Sequence, residues 1–184
     1  MRGKSALALA MVLLTVPAAA AERLQVPQLA GWKVVTGVVD RAGEATDLIP
    51  ASETPETWTR RATVQGFRGV GLTVAGFLDQ VVAKTAEVCD GAAAGPASLG
   101  TVSGAEAGSR TVACGSYKGD GRGSYTLYYA IRGREAFYVV SRSWRGAPFA
   151  VGTVPVPAPE LAEWAAWVHG LDLCDTRDAN RPCR

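Results

Sequence analysis

Residues 73–89 read Thr-Val-Ala-Gly-Phe-Leu-Asp-Gln-Val-Val-Ala-Lys-Thr-Ala-Glu-Val-Cys, and the rest of the chain must fold around this stretch. Its apolar side chains recur every three or four residues, which is the spacing of one helix face. They are Val74, Phe77, Leu78, Val81, Val82 and Val88. Such a helix is marginal alone in water, so neighbouring segments must cover its apolar face. The pattern predicts a central amphipathic helix over about residues 73–89, capped by Thr73.

Short segments rich in β-formers flank this helix. Residues 31–39, 46–49 and 57–64 precede it and are separated by turn residues, after an extended lead over 24–29. In the third segment, Trp58 and Ala62 should share one face of a sheet, with Arg61 on the other. Beyond the helix, residues 92–108 are mostly Ala, Gly and Ser, which predicts a weakly ordered loop or short edge strands.

Residues 124–144 predict a β-hairpin with Gly133-Arg134 as its two-residue turn. This register places Arg132 opposite Glu135, an opposite-charge pair. It also separates an apolar face from a hydroxyl-bearing face. The apolar face holds Tyr125, Leu127, Tyr129, Ile131, Tyr138 and Val140, and the other holds Ser124, Thr126, Ser141 and Ser143.

A second helix is predicted over about residues 159–170. Pro159 suits its first turn, and apolar residues follow at helical spacing, namely Leu161, Trp164, Ala165, Val168 and Leu171. The polar tail 172–184 should be held only by its cysteines. The element order predicts an α+β fold, an antiparallel sheet with helices on one or both faces. The alternative is an NTF2-like cone with a deep apolar pocket inside a curved sheet.

The first 21 residues have the layout of a secretory signal peptide. Arg2 and Lys4 precede an apolar run, and Ala19-Ala20-Ala21 ends the segment before Glu22. The run is too short to span a bilayer and none like it follows, so we expect no membrane span. Residues 22–184 should then form a single exported domain, periplasmic or secreted. Without Arg2 and Lys4, 17 basic residues face 17 acidic ones, which gives no support to a nucleic-acid partner.

All four cysteines lie in the exported part, where disulfides are favoured. Four cysteines allow three pairings, and nearest-neighbour pairing joins Cys89 to Cys114 and Cys174 to Cys183. The first bond would tie the central helix to a strand. A structural zinc site is disfavoured because the chain has no Cys-x-x-Cys and a single histidine. We therefore expect no metal and no cofactor.

Catalytic groups do not form a recognisable motif. His169 is the only histidine, and near a helix end it suits a capping or surface role. Asp47, Glu53 and Glu56 could do acid–base work in a hydrolase, but solvated loop charges are the simpler interpretation. Residues 119–123, Gly-Asp-Gly-Arg-Gly, precede a strand and lack the P-loop lysine, so they predict a turn.

One constellation points to binding. Four arginines and two tryptophans lie on strands that could be neighbours, where they would form a patch for an anionic ligand or partner. The patch comprises Arg60, Arg61, Arg142, Arg145, Trp58 and Trp144. Arginines on exposed strand faces also serve solubility and edge protection.

The element order resembles the PsbP-like α/β domain of many small exported bacterial proteins. The resemblance lies in Leu48-Ile49-Pro50, the strand after it, the helix at 73–89 and the hairpin at 125–140. It implies a non-catalytic binding or assembly-accessory protein of the bacterial cell envelope. A second hypothesis is an inhibitor or immunity-type protein acting on an extracytoplasmic enzyme, and a third is a hydrolase.

Overall fold

The computed structural model describes residues 21–183, so the predicted leader lies outside the described residues except for Ala21. The fold is α+β, as predicted, with all strand pairs antiparallel in one eight-stranded and one two-stranded sheet. In chain order the elements are β1 (Glu22–Gln25), β2 (Trp32–Val39), β3 (Gly43–Pro50), β4 (Arg60–Arg68), α1 (Val74–Val88), β5 (Cys89–Ala94), β6 (Ser98–Val102), β7 (Ala105–Tyr117), β8 (Gly123–Arg132), β9 (Ala136–Gly146), α2 (Ala158–His169) and β10 (Asp172–Asp175). The large sheet runs β2-β3-β4-β9-β8-β7-β5, and β6 also pairs with β7.

The two helices cover opposite faces of the large sheet. Ala130 and Val139 belong to the core that contains α1. Their neighbours Ile131 and Val140 belong to the core that contains α2. Adjacent residues of a strand point to opposite sides, so these cores lie on two faces. We call them the α1 face and the α2 face.

α1 begins where the sequence predicts because Thr73 caps it. The Thr73 hydroxyl accepts a hydrogen bond from the Gly76 N–H at 3.1 Å. The buried residues of the helix are Val74 and Leu78 in its first half, whereas Val88 at its end is 43% exposed. The predicted Cys89–Cys114 disulfide is present. A covalent bond therefore anchors the end of α1 that the core does not cover.

α2 carries the larger apolar side chains. Trp164, Trp167 and Val168 are buried, and Trp164 has no exposed surface. Leu171 and Leu173 continue the same core beyond the helix. The α2 face is therefore the more extensively packed side of the sheet.

The segment after α2 is not the loosely held tail that the sequence predicts. Residues 172–175 form β10, which pairs with β1, and Leu173 is completely buried. The predicted Cys174–Cys183 disulfide is present and joins this strand to the end of the described chain. Asp172 and Asp175 flank the apolar centre of β10, so the sequence pattern alone indicates a polar tail. The pairing with β1 is what makes this segment a strand.

The β8–β9 hairpin is shifted by two residues from the predicted register. Arg132 lies opposite Phe137 and the central turn residues are Arg134 and Glu135, so the predicted Arg132–Glu135 pair is wrong. The reason is a long-range contact, because the Glu22 carboxylate accepts the Arg134 and Glu135 backbone N–H groups at 2.9 and 3.2 Å. An even shift keeps every side chain on its predicted face.

Residues 92–108 are mostly strand rather than loop, since the edge strands β5 and β6 and the start of β7 occupy this range. The sheet stays open and helices fill both faces, so the NTF2-like alternative is not the observed arrangement. An apolar groove of about 420 Å³ lies at the margin of the α2 face. Its lining includes Val26, Leu29, Trp32, Leu48, Val64 and Trp167. Neither helix within residues 21–183 is long and apolar enough to cross a bilayer.

Candidate functional site: an arginine pair at Trp58

The four arginines of the predicted patch lie on two paired strands but face two ways. β4 pairs with β9, and Arg60 lies opposite Trp144 while Arg61 lies opposite Ser143. Strand alternation puts Arg60 and Arg142 on the α2 face, and Arg61 and Arg145 on the α1 face. The sheet therefore divides the predicted patch in two.

On the α2 face the arginines join the packing of α2. The Arg60 guanidinium forms a two-point ion pair with the Glu160 carboxylate on α2, with Nη2 2.8 Å from Oε2. Arg142 is only 6% exposed, and its guanidinium carbon lies 4.6 Å from the ring centre of Trp32 and 5.3 Å from that of Trp167. Burial lowers the pKa of Arg142. Arg60 and Arg142 therefore help to hold α2 against the sheet, and they leave little guanidinium surface exposed for a ligand.

Trp144 also packs within the protein. Its ring meets the Phe149 ring edge to face, with 5.8 Å between centroids. Such aromatic contacts stabilise the end of β9 beside the segment that leads to α2. Trp144 therefore sits apart from the arginines of the α1 face.

On the α1 face, Arg61 and Arg145 converge on the indole ring of Trp58. Their guanidinium carbons lie over the ring, 4.4 and 4.0 Å from its centre. These are cation–π distances. Arg145 also donates hydrogen bonds to the carbonyls of Trp58 at 3.2 Å and Glu56 at 3.1 Å. We call Trp58, Arg61 and Arg145 the Trp58 cluster.

Glu53 positions the connection that carries Trp58. Its carboxylate accepts the backbone N–H groups of Thr59 at 2.7 Å and Arg60 at 3.3 Å. Burial raises the pKa of Glu53, but hydrogen bonds from the Thr59 hydroxyl and from these two N–H groups outweigh burial and leave that pKa below its ordinary value. β4 begins only at Arg60, so the predicted alternation that grouped Trp58 with Ala62 is wrong. Trp58 lies before the strand and is free to meet Arg61.

Within the described part of the chain, the Trp58 cluster carries positive charge without a direct ion pair, although Asp120 and Glu53 lie near enough to act on Arg145. Among residues 21–183, neither Arg61 nor Arg145 forms an ion pair. The Arg61 Nε is buried and has no hydrogen-bond partner. Burial, followed by the charge of Arg122, lowers the pKa of Arg145. An anion bound here would supply the missing acceptor and reduce the repulsion.

Hydroxyl groups lie next to this charge. Ser143, opposite Arg61, and Thr126 are both buried, with 3.0 Å between their side-chain oxygens. Burial raises the pKa of Tyr128, and the charge of Arg61 opposes that rise. α1 packs mainly on β7, β5 and β8, so it leaves this part of β4 and β9 to polar side chains. The hairpin pattern revealed the hydroxyl face, but only the β4–β9 pairing placed it beside Arg61.

The other candidate residues for chemistry are held in structural hydrogen bonds or exposed to solvent. Asp47 accepts a hydrogen bond from the Thr63 hydroxyl at 2.6 Å, Glu53 supports the Trp58 connection, and Glu56 is exposed. His169 is exposed at the end of α2. Residues 119–122 lie in the turn between β7 and β8, as predicted, and Gly123 begins β8. Within residues 21–183, no three His, Cys, Asp or Glu side chains gather as a metal-binding group would.

Comparison with known proteins gives a distant structural likeness. The chain is similar to LpqN of Mycobacterium tuberculosis, whose crystal structure is described as that of a protein involved in cell envelope biogenesis. The TM-score is 0.43 and the sequence identity 13%, over 85% of this chain and 86% of that chain. No protein-family model matches the chain, and no curated protein matches it. The PsbP-like resemblance is not confirmed by these comparisons.

Proposed function

We propose that the protein is an exported, disulfide-stabilised binding module that takes an anionic group of a ligand or envelope partner at the Trp58 cluster. The observation that carries this proposal is the pair of guanidiniums on one indole ring, without a carboxylate partner among residues 21–183. The signal-peptide layout of the first 21 residues and the two disulfides support export.

A carboxylate or phosphate suits the groups present. Arginine donates charge-assisted hydrogen bonds to both anions, and the orphan Nε of Arg61 needs an acceptor. Trp58 and the two carbonyl acceptors of Arg145 hold the guanidiniums in place before a ligand arrives. Such preorganisation reduces the entropy lost on binding. Because the cluster is partly exposed, added salt should weaken the interaction.

Titration of the oxidised mature protein tests the site. Inorganic phosphate and a Glu-rich peptide are the probes, and the Nε–H resonances of the arginines are the readout. We expect the signals of Arg61 and Arg145 to shift, and Arg61→Gln and Arg145→Gln each to weaken binding on the order of tenfold, the loss of one charged hydrogen bond. The control is Arg132→Gln, an exposed arginine on β8. Equal losses in all three variants, or unshifted signals, would refute the site.

Affinity capture from envelope extract then separates a small ligand from a protein partner. A partner that uses this site should be retained by wild-type protein and by Arg132→Gln, and lost with the Arg61→Gln/Arg145→Gln double variant. If the captured partner is an extracytoplasmic enzyme, the result supports an inhibitor-type role. A protein retained equally by the double variant would show that the cluster does not recruit it.

A further inference from the structure

The first described strand begins at a sequence suited to leader cleavage. Glu22 follows four alanines at 18–21, and small residues before the scissile bond are typical of leader processing. Glu22 is only 1% exposed and opens β1, which pairs with β10. Cleavage after Ala21 would therefore create an α-amino group on a residue built into the fold.

Both the backbone nitrogen and the side-chain carboxylate of Glu22 contact the β8–β9 turn. Its backbone nitrogen lies 3.5 Å from Oε2 of Glu135. Its side-chain carboxylate accepts the Arg134 and Glu135 N–H groups at 2.9 and 3.2 Å. A Cβ at Gly133 would overlap this carboxylate, which explains the glycine. The nitrogen of Glu22 is thus placed against a carboxylate by several independent contacts.

Two further acids lie close to that nitrogen, and a single arginine pairs with both. Asp175 lies directly opposite Glu22 in the β1–β10 pair and is also 1% exposed. Arg177 pairs with Glu135 at 2.7 Å and with Asp175 at 2.9 Å. Glu22 itself has only backbone donors and no ion pair among residues 21–183. Glu135 and Asp175 therefore share Arg177 as their ion-pairing arginine, and a cation at the Glu22 nitrogen would give Glu135 a second partner.

We propose that the leader is removed between Ala21 and Glu22 and that the new α-ammonium forms an ion pair with Glu135 that completes the fold. A leader peptidase hydrolyses the bond with one water: the Ala21 carbonyl carbon leaves as a carboxylate, and the Glu22 nitrogen gains the protons of an ammonium. Cleavage removes the Ala21 carbonyl that accepts the Thr176 N–H at 2.9 Å. Thr176 is exposed, so water can replace that acceptor. The proposal rests on export but not on the Trp58 cluster.

The mass of the natively exported protein tests the cleavage position. A first residue of Glu22 is expected, whereas Ala21 or any other first residue overturns the proposal. Failure of anion binding at Arg61 would leave this result unaffected, and an unprocessed chain would refute export itself.

A stability cycle tests the ion pair. The chain that starts at Glu22 is compared with one that starts at Ala20, each with and without Glu135→Gln. At pH 7 we expect Glu135→Gln to lower the melting temperature more in the Glu22 chain, since loss of the Arg177 contact is common to both. Equal losses would overturn the ion pair.

The pH dependence of that difference has a defined sign. The charged and titratable groups around Glu22 are the acids Glu44, Glu106, Glu135, Asp175 and Asp178, the arginines Arg23, Arg68, Arg132, Arg134, Arg177 and Arg181, and Tyr138. The Glu135 carboxylate, 3.5 Å from the nitrogen, favours the ammonium, so its stabilising effect is full below about pH 8, the usual range of a free α-amine, and is lost at higher pH. The difference between the two chains should therefore shrink towards pH 10. A difference that is constant with pH would exclude the ammonium as its cause.

Discussion

Both faces of the large sheet carry arginines stacked on tryptophans, but the arginines differ in how far they are buried. On the α2 face, Arg142 is buried against tryptophan rings and Arg60 pairs with Glu160 on the helix. On the α1 face, Arg61 and Arg145 also meet a tryptophan and, like Arg142, form no ion pair among residues 21–183, but they are only partly buried. The difference is the helix above them, since α2 closes its face with large aromatic residues, while α1 covers Phe67, Phe137 and Val139 but leaves the Arg61–Arg145 end of β4 and β9 to polar side chains. One face supplies stability and the other keeps accessible charge.

The largest effect should follow from truncation on the α2 face. Trp164→Ala removes a side chain with no exposed surface and should cost about 3–5 kcal/mol of unfolding free energy. Phe77→Ala on α1, where the ring is only partly buried, should cost less. Urea denaturation with intact disulfides measures both. A larger loss for Phe77→Ala would reverse the comparison between the faces.

The next largest loss of unfolding free energy should follow from removal of each disulfide. Loop closure alone predicts a loss of about 3.5 kcal/mol for Cys89→Ser/Cys114→Ser and about 2.7 kcal/mol for Cys174→Ser/Cys183→Ser. The first variant should also speed amide exchange in the last turn of α1, because little packing remains there. Chemical denaturation and hydrogen exchange report these effects. Protection of that last turn in the Cys89→Ser/Cys114→Ser variant would mean that packing, not the bond, anchors α1.

A smaller loss should follow where α1 approaches the sheet closely. A Cβ at Gly108 would lie 2.7 Å from the Leu99 side chain and 2.9 Å from both the Val74 side chain and the Ser98 carbonyl, so Gly108→Ala should cost about 1–3 kcal/mol through overpacking. Gly100→Ala is the matched control, because a Cβ at Gly100 meets nothing within 4 Å. Thermal melting of both variants measures the difference. Equal stability would show that α1 can lift from β7 at little cost.

The smallest predicted effect is at the helix starts. Thr73→Ala removes the side-chain cap of α1 and should cost about 1 kcal/mol. α2 starts at Pro157 without a side-chain cap, so Pro157→Ala should change stability less. Melting temperatures of the two variants provide the test. A cost at Pro157 equal to that at Thr73 would remove this distinction between the helices.

Local patterns predicted most of the fold. Helical spacing located α1 and α2 to within a residue or two, and the period of two kept the faces of the hairpin correct despite the shifted register. The disulfides also join cysteines that are consecutive in the sequence, as nearest-neighbour pairing predicts. These features depend on contacts close in sequence, which the sequence can encode directly.

The errors arose where distant segments meet. The turn of the hairpin depends on Glu22, and the burial of Leu173 depends on β1. The arginine patch was predicted as one surface, but whether an arginine is covered depends on which helix packs above it. No local spacing of Arg61 and Arg142 carries that information.

By itself, the amino-acid sequence specified the helices, the strand faces and the α+β class, because each follows from the periodicity of side chains along a few turns or strands. The tertiary structure alone decided which arginines are covered and that Glu22 and the tail are structural. Burial and charge balance depend on groups more than a hundred residues apart, as in the contact of Glu22 with Glu135.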